Sequence, residues 1–330
     1  MSRCICALIV GGLLFGCLAV NSYCNEIKKI EEKSFKMKPG GHISVEGDEG
    51  FIKINSWDKA EVNLVMTKRA WGKSQEDAEQ NLKKIEVEIN ENDNRLDIKL
   101  VKERDEKNHS FWDLFDRDTW REIGRSPRVD FELTVPKEIN LNLVNDEGDV
   151  IVKSIIGDVE IRVDEGDIEI NDVAFNELNL AVDEGDINGV DLKNPDGRLT
   201  IKVDEGDVLF ENVSLRRLRV ECDEGGITFK KLSCNSCSIA TDEGDVDLDI
   251  VLNDNDRYRV SSDEGDLSFD LPNNPDVKLD LESQDGDIRS DFNVSISKND
   301  DRRICRETIG NGNAFIEAYT DEGTIYLKRR

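Results

Sequence analysis

Three short runs decide the fold: Asn145-Asp146-Glu147-Gly148-Asp149-Val150-Ile151-Val152, Val163-Asp164-Glu165-Gly166-Asp167-Ile168-Glu169-Ile170 and Val182-Asp183-Glu184-Gly185-Asp186-Ile187-Asn188-Gly189. Asp-Glu-Gly begins at Asp48, Asp146, Asp164, Asp183, Asp204, Asp223, Asp242, Asp263 and Asp321, and Gln284-Asp285-Gly286 is a degenerate copy. From Asp146 to Gln284 the steps are 18, 19, 21, 19, 19, 21 and 21 residues. A period of this length marks a repeat architecture in which each repeat is one unit of a stack.

Aligning the copies on the first Asp exposes apolar columns. Five residues before it stand Leu141, Val159, Leu178, Leu199, Leu218, Cys237, Tyr258 and Leu279. Three before it stand Leu143, Ile161, Leu180, Ile201, Val220, Ile239, Val260 and Leu281. Four after it come Val150, Ile168, Ile187, Val208, Ile227, Val246, Leu267 and Ile288, and nine after it Ile155, Val173, Leu192, Val213, Leu232 and Val251. Alternation within each run predicts strands. A fixed corner between two strands, with a further apolar contact beyond, predicts one solenoid coil per repeat, like residue above like at about 4.8 Å. Glycine at the third corner position predicts positive φ there.

The same register fits Ile43, Val45, Ile52, Ile54 and Trp57 around Asp48, read as an early coil. It also fits Ile316, Ala318, Ile325 and Leu327 around Asp321, read as the last coil. Between them lies an irregular N-terminal β region within 26–135, ahead of the repeat array 136–330. Ala60 to Thr67 and Arg128 to Val135 read as strands. Ile85 to Ile89 and Arg95 to Val101 read as a strand pair on an Asn-rich turn. Ser74, with Asp77 three residues on, opens a short helix, 74–84, that would cover the end of the stack. The segment 102–128 is charged yet carries Phe111, Trp112, Phe115 and Trp120. It reads as an excursion with a hydrophobic tether, or as a docking element for a partner.

Acidic residues number 72 against 44 basic, a formal net charge of -28. Such a surface argues against nucleic acid and anionic headgroups, and against acidic polysaccharides unless cations bridge. Met1-Ser2-Arg3 followed by the apolar run Ala7 to Val20 reads as a signal peptide over 1–22, with no membrane span in the mature chain. Leu14-Phe15-Gly16-Cys17 reads alternatively as a lipobox, giving 1–16 and a lipid anchor on Cys17. Export follows from either, to the periplasm, to an outer-membrane anchor or to the cell surface. The mature chain keeps Cys222, Cys234, Cys237 and Cys305. Cys234-Asn235-Ser236-Cys237 could be a redox pair or half a metal site, but the register puts Cys222 and Cys237 inside as buried thiols.

Pro39-Gly40-Gly41, Gly50-Phe51-Ile52-Lys53-Ile54-Asn55-Ser56-Trp57-Asp58, the helix 74–84, Val135-Pro136 and Gly310-Asn311-Gly312 together resemble the bacterial adhesin-like β-strand-repeat family, formerly a domain of unknown function. The resemblance covers nearly all of the mature chain. It implies an all-β, single-stranded, right-handed parallel β-helix with about 20-residue coils, in an envelope or surface protein without established catalysis. This chain departs from the family in its Asp-Glu-Gly-Asp corners, where a Ser/Thr-Gly-Asp type is usual, and in its aromatic-rich insert.

The corners give two readings. One is turn chemistry, Asp accepting nearby backbone N–H groups. The other is weak, multi-site Ca2+ binding by Asp146, Glu147, Asp149, Asp164, Glu165, Asp167, Asp183, Glu184, Asp186, Asp204, Glu205, Asp207, Asp242, Glu243, Asp245, Asp263, Glu264 and Asp266. No other cofactor is expected. The sequence shows no nucleophile elbow, phosphate loop or HExxH motif, and a catalytic dyad does not recur in every coil. The expected role is therefore a non-enzymatic scaffold or binding protein whose partner is an envelope protein or a neutral glycan. The alternatives are an envelope-stress accessory docking a membrane partner, and a carbohydrate-active β-helix enzyme.

Overall fold

The computed structural model describes residues 25–101 and 126–330. The signal segment with Cys17, and Phe111, Trp112, Phe115 and Trp120 of the insert, lie outside the described residues.

The elements up to the repeat array are β1 (Asn25–Lys36), β2 (Gly41–Glu46), β3 (Ile52–Trp57), β4 (Glu61–Gly72), α1 (Gln75–Lys83), β5 (Val87–Asn92), β6 (Arg95–Leu100), β7 (Arg128–Pro136), β8 (Ile139–Glu147) and β9 (Val150–Lys153). The array continues as β10 (Val159–Glu165), β11 (Ile168–Asn171), β12 (Glu177–Glu184), β13 (Ile187–Glu205), β14 (Val208–Glu224), β15 (Ile227–Glu243), β16 (Val246–Ile250), β17 (Arg257–Glu264) and β18 (Leu267–Leu271). It ends with β19 (Val277–Asp285), β20 (Ile288–Ser290), β21 (Ser297–Asn299), β22 (Arg302–Ile309), β23 (Ala314–Glu322) and β24 (Ile325–Arg329). The chain divides within β9 into two compact units, one up to Ile151 and one from Val152.

In the first unit β2 lies between parallel partners β6 and β8, and β5 closes on β6 antiparallel. β3 pairs parallel with β7, and β7 antiparallel with β4. β4 is then covered antiparallel by β1 along the whole 12-residue length of β1. Ile43, Val45, Ile52 and Ile54 are buried as the register predicts. Trp57 is only half-buried, because its indole N–H donates to the Glu61 carbonyl at 2.8 Å and Lys59 Nζ sits 4.1 Å above the ring. At α1 the Ser74 Oγ accepts from the Asp77 N–H and the Asp77 carboxylate accepts from the Ser74 N–H, each at 3.1 Å. The helix buries Ala78 against β4, and a Cβ on Gly72 would come within 2.3 Å of the Ala78 nitrogen.

The second unit is a parallel stack. Leu178, Leu199, Leu218, Cys237 and Tyr258 follow one another rung by rung, as do Ile187, Val208, Ile227, Val246 and Leu267. Every residue of the three predicted columns flanking the corner is buried. Phe210 and Phe229 add a stacked pair, centroids 5.3 Å apart.

Three features depart from the sequence reading. First, the C-terminal coil is not last in the stack. β23 pairs parallel with β17 on one side and β19 on the other, and β24 pairs with both β18 and β20. The far edge of β19 is covered antiparallel by β22, itself edged by the short polar β21. An uncovered parallel edge is a template for association, and this hairpin blocks it.

Second, five successive coils have another corner, eight residues after the first Asp. Ser154, Asp172, Asp191, Asn212 and Lys231 all take φ between 52° and 60°. Asp and Asn tolerate this left-handed region better than other side-chain-bearing residues. Third, Ile250 occupies that position in the next coil without a left-handed turn, so it pairs with Leu232 and is fully buried. Val251, predicted to be inside, is therefore turned out and exposed.

Candidate functional site

The stacked acidic corner is built from glycine outward. Gly166, Gly185, Gly206, Gly225, Gly244, Gly265 and Gly323 have φ between 137° and 156°. A Cβ on Gly206 would lie 2.1 Å from the Gly185 carbonyl oxygen, and one on Gly225 would lie 2.1 Å from that of Gly206. Glycine is therefore fixed twice, by backbone conformation and by the approach of the neighbouring coil.

At five corners the last Asp is a staple between coils. Asp167 Oδ1 accepts from the Asp186 N–H at 2.9 Å, Asp186 from Asp207 at 2.8 Å and Asp207 from Gly226 at 2.8 Å. The series breaks at Gly226, which has no carboxylate. It resumes with Asp245 accepting from the Asp266 N–H at 2.8 Å and Asp266 from Thr324 at 2.7 Å. The residue before the corner contributes a second bridge that the sequence reading missed. Ser283 Oγ donates to the Gly323 carbonyl at 2.8 Å and Thr320 Oγ1 to that of Gly265 at 3.0 Å. A Val-to-Ser/Thr change along an otherwise apolar column was the available signal.

The other carboxylates remain on the surface. Glu165, Glu184, Glu205, Glu224, Glu243, Glu264 and Glu322 form one exposed in-register column, and none makes an ion pair among the described residues. In the column of first Asp residues, Lys202 bonds Asp204 at 2.9 Å, Arg162 reaches Asp164 and Asp183, and the Tyr319 hydroxyl donates to Asp321 at 2.5 Å. Among the described residues no group of three or more His, Cys, Asp or Glu is placed to hold a metal ion.

Asp146, Glu147 and Asp149 belong to the first unit. There Glu147 and Asp149 line a cleft of about 320 Å3 with Glu49, Phe51, Arg128 and Asp130. Asp130 is buried, 3.2 Å from Arg69 Nη2, and neither carboxylate oxygen accepts a hydrogen bond among the described residues. Burial pushes the Glu49 carboxyl up to about 7; Ser126 and Arg128 oppose this, and Glu147 and Asp48 reinforce it.

Cys222, Cys234, Cys237 and Cys305 are free and buried. Desolvation pushes Cys222 and Cys305 up to about 11 and Cys234 to about 12, with Cys237 also well raised. A thiol reacts as its thiolate, so the CxxC pair is poorly disposed for redox exchange at neutral pH.

Parallel coils, glycine corners and carboxylate staples define an all-β, solenoid-like repeat protein. The chain belongs to the Toastrack DUF4097 family, whose model matches residues 50–328. This is the family that the sequence resembles. Among solved structures, the chain is similar to a "putative adhesin" from Bacteroides fragilis NCTC 9343, at 12% identity and TM-score 0.44, covering 91% of this chain and 97% of that one. A "putative lipid binding protein" from Parabacteroides distasonis ATCC 8503 shares 15% identity at TM-score 0.47, with the same coverage. A "putative cell adhesion protein" from Clostridium sporogenes ATCC 15579 shares 10% at TM-score 0.27, covering 92% and 100%. No curated protein matches the chain.

Proposed function

We infer that the protein is a non-catalytic, exported envelope or surface scaffold with an adhesin-like binding role, wound as a right-handed β-helix. The observation that carries this reading is the use made of the repeated residues. Corner glycines and aspartates hold coil to coil, while the strands between them present exposed side chains in register over many rungs. Extended surface of that kind suits recognition of a partner, whereas turnover needs convergent groups in an enclosing cleft. A leader ending near residue 22, or a lipid on Cys17, would deliver it outside the cytoplasm.

The test is bead adhesion. Beads coated with the full chain should be retained on envelope preparations under flow, and retention should fall when soluble chain competes. Retention equal to that of uncoated beads would overturn the reading.

A second reading, weak Ca2+ loading of the acidic edge, is favoured by the unpaired glutamate column. Unit charges about 4.8 Å apart repel by roughly 0.9 kcal/mol even at bulk-water dielectric. Among the described residues no convergent ligand set is placed, so such loading would be spread over several weak positions rather than one cage.

A further inference from the structure

The net charge conceals how the charges sort by face. In the second unit the outward residues six positions before each corner form one column that begins acidic, with Asp158 and Glu177, and continues through Arg198, Arg217, Ser236, Arg257, Phe315 and Lys278. All are exposed except Phe315, which is half-buried. Arg198 is engaged by Glu177 at 2.6 Å, but Arg217 and Arg257 make no ion pair among the described residues. Lys278 Nζ lies 6.0 Å from the centre of the Phe315 ring. Arg219 and Arg259, two residues further along their strands, widen the basic zone and are partnered by Glu221 and Glu317.

Distance isolates this column from the acidic corner. Six residues of strand span roughly 20 Å, against a Debye length of about 8 Å at physiological salt. The corner carboxylates therefore do not cancel the guanidinium field at the column, and a total of -28 does not decide what binds there. Guanidinium groups pair bidentately with carboxylates and similar oxyanions, and the stretch from Arg198 to Lys278 offers its cations in single file on rungs about 4.8 Å apart, spaced by Ser236 and Phe315. Phe315 interrupts the cations with an apolar ring, set between Arg257 and Lys278 only because β23 is inserted between β17 and β19.

We propose that this column is the docking line for an acidic polysaccharide, its carboxylate or sulfate groups on the arginines and one sugar ring against Phe315. The occupant must be thin. A duplex or a bilayer is much broader than one column and would press its own negative charge against the acidic corners. A neutral glycan would leave the unpaired guanidinium groups unused. The proposal rests on the scaffold reading above and names its ligand class.

Calorimetry of the full chain with polygalacturonate, dextran sulfate and neutral dextran tests it. Either polyanion should bind, weakening as salt is raised, and dextran should not. The double variant Arg217→Ser with Arg257→Ser should lose about tenfold or more in affinity. The equal charge change at exposed Lys230→Ser with Lys298→Ser should cost about twofold or less. Thermal melting of both variants verifies that they fold. Binding of neither polyanion, equal loss in both variants, or tighter binding of single-stranded DNA would overturn the proposal. If bead retention persists while polyanion binding fails, only this inference falls. If both fail, the scaffold reading falls with it.

Discussion

At the scale of single residues, the corner shows why composition misleads. Seventy-two acidic residues suggest a charge-driven function, yet many of the repeated aspartates are hydrogen-bonding parts. Gly206→Ala should destabilise the fold by about 2 kcal/mol or more, because it meets both a positive φ and a carbonyl 2.1 Å away. Chemical denaturation measures this directly. Gly226 gives the opposite case: an added Cβ would meet nothing closer than 3.4 Å, and its backbone requires no positive φ. Gly226→Asn should restore the missing staple and stabilise by about 1 kcal/mol. Gly226→Asp should gain less at low salt, since it adds a charge to the edge. The raised Glu49 carboxyl favours the protonated folded state. Its contribution is fully present below the unfolded value of 4.5 and is lost as pH rises through about 7. Glu49→Gln should flatten that decline, read as melting temperature against pH from 4 to 8.

At the scale of elements, local signals were legible and long-range order was not. The capping box at Ser74 and Asp77, the β5–β6 pair and strands β4 and β7 follow from residues close in sequence. Ser74→Ala should cost about 1 kcal/mol of unfolding free energy, with first-turn amides exchanging faster by hydrogen exchange. β1 escaped notice because its charged residues mask the alternation that Ile27 and Phe35 carry. The left-handed second corner was readable in Asp172, Asp191 and Asn212, but Ser154 and Lys231 dilute the column. The site was legible to the same degree. The corner repeat is plain in the sequence, whereas the Arg-Phe-Lys column exists only once β23 is placed out of sequence order.

At the scale of the whole molecule, like charges crowd along an edge that covalent order cannot relax. Raising NaCl from low ionic strength should raise the melting temperature by several degrees and then level off as screening saturates. Calcium at matched ionic strength separates the two readings of the acidic edge. A further rise reversed by chelator supports loading, and an identical curve leaves the glutamates solvated.

The displaced final strand also sets a timetable. The coils as far as β18 stack in the order in which a ribosome delivers them, but β19 and β20 have no correct floor until β23 and β24 exist. Before then, β19 could settle on β17, since Leu279 and Leu281 match Tyr258 and Val260 as well as Ile316 and Ala318 do. Completion of the stack at β19 and β20 therefore waits for β23 and β24, made after them, to enter between coils that already match each other.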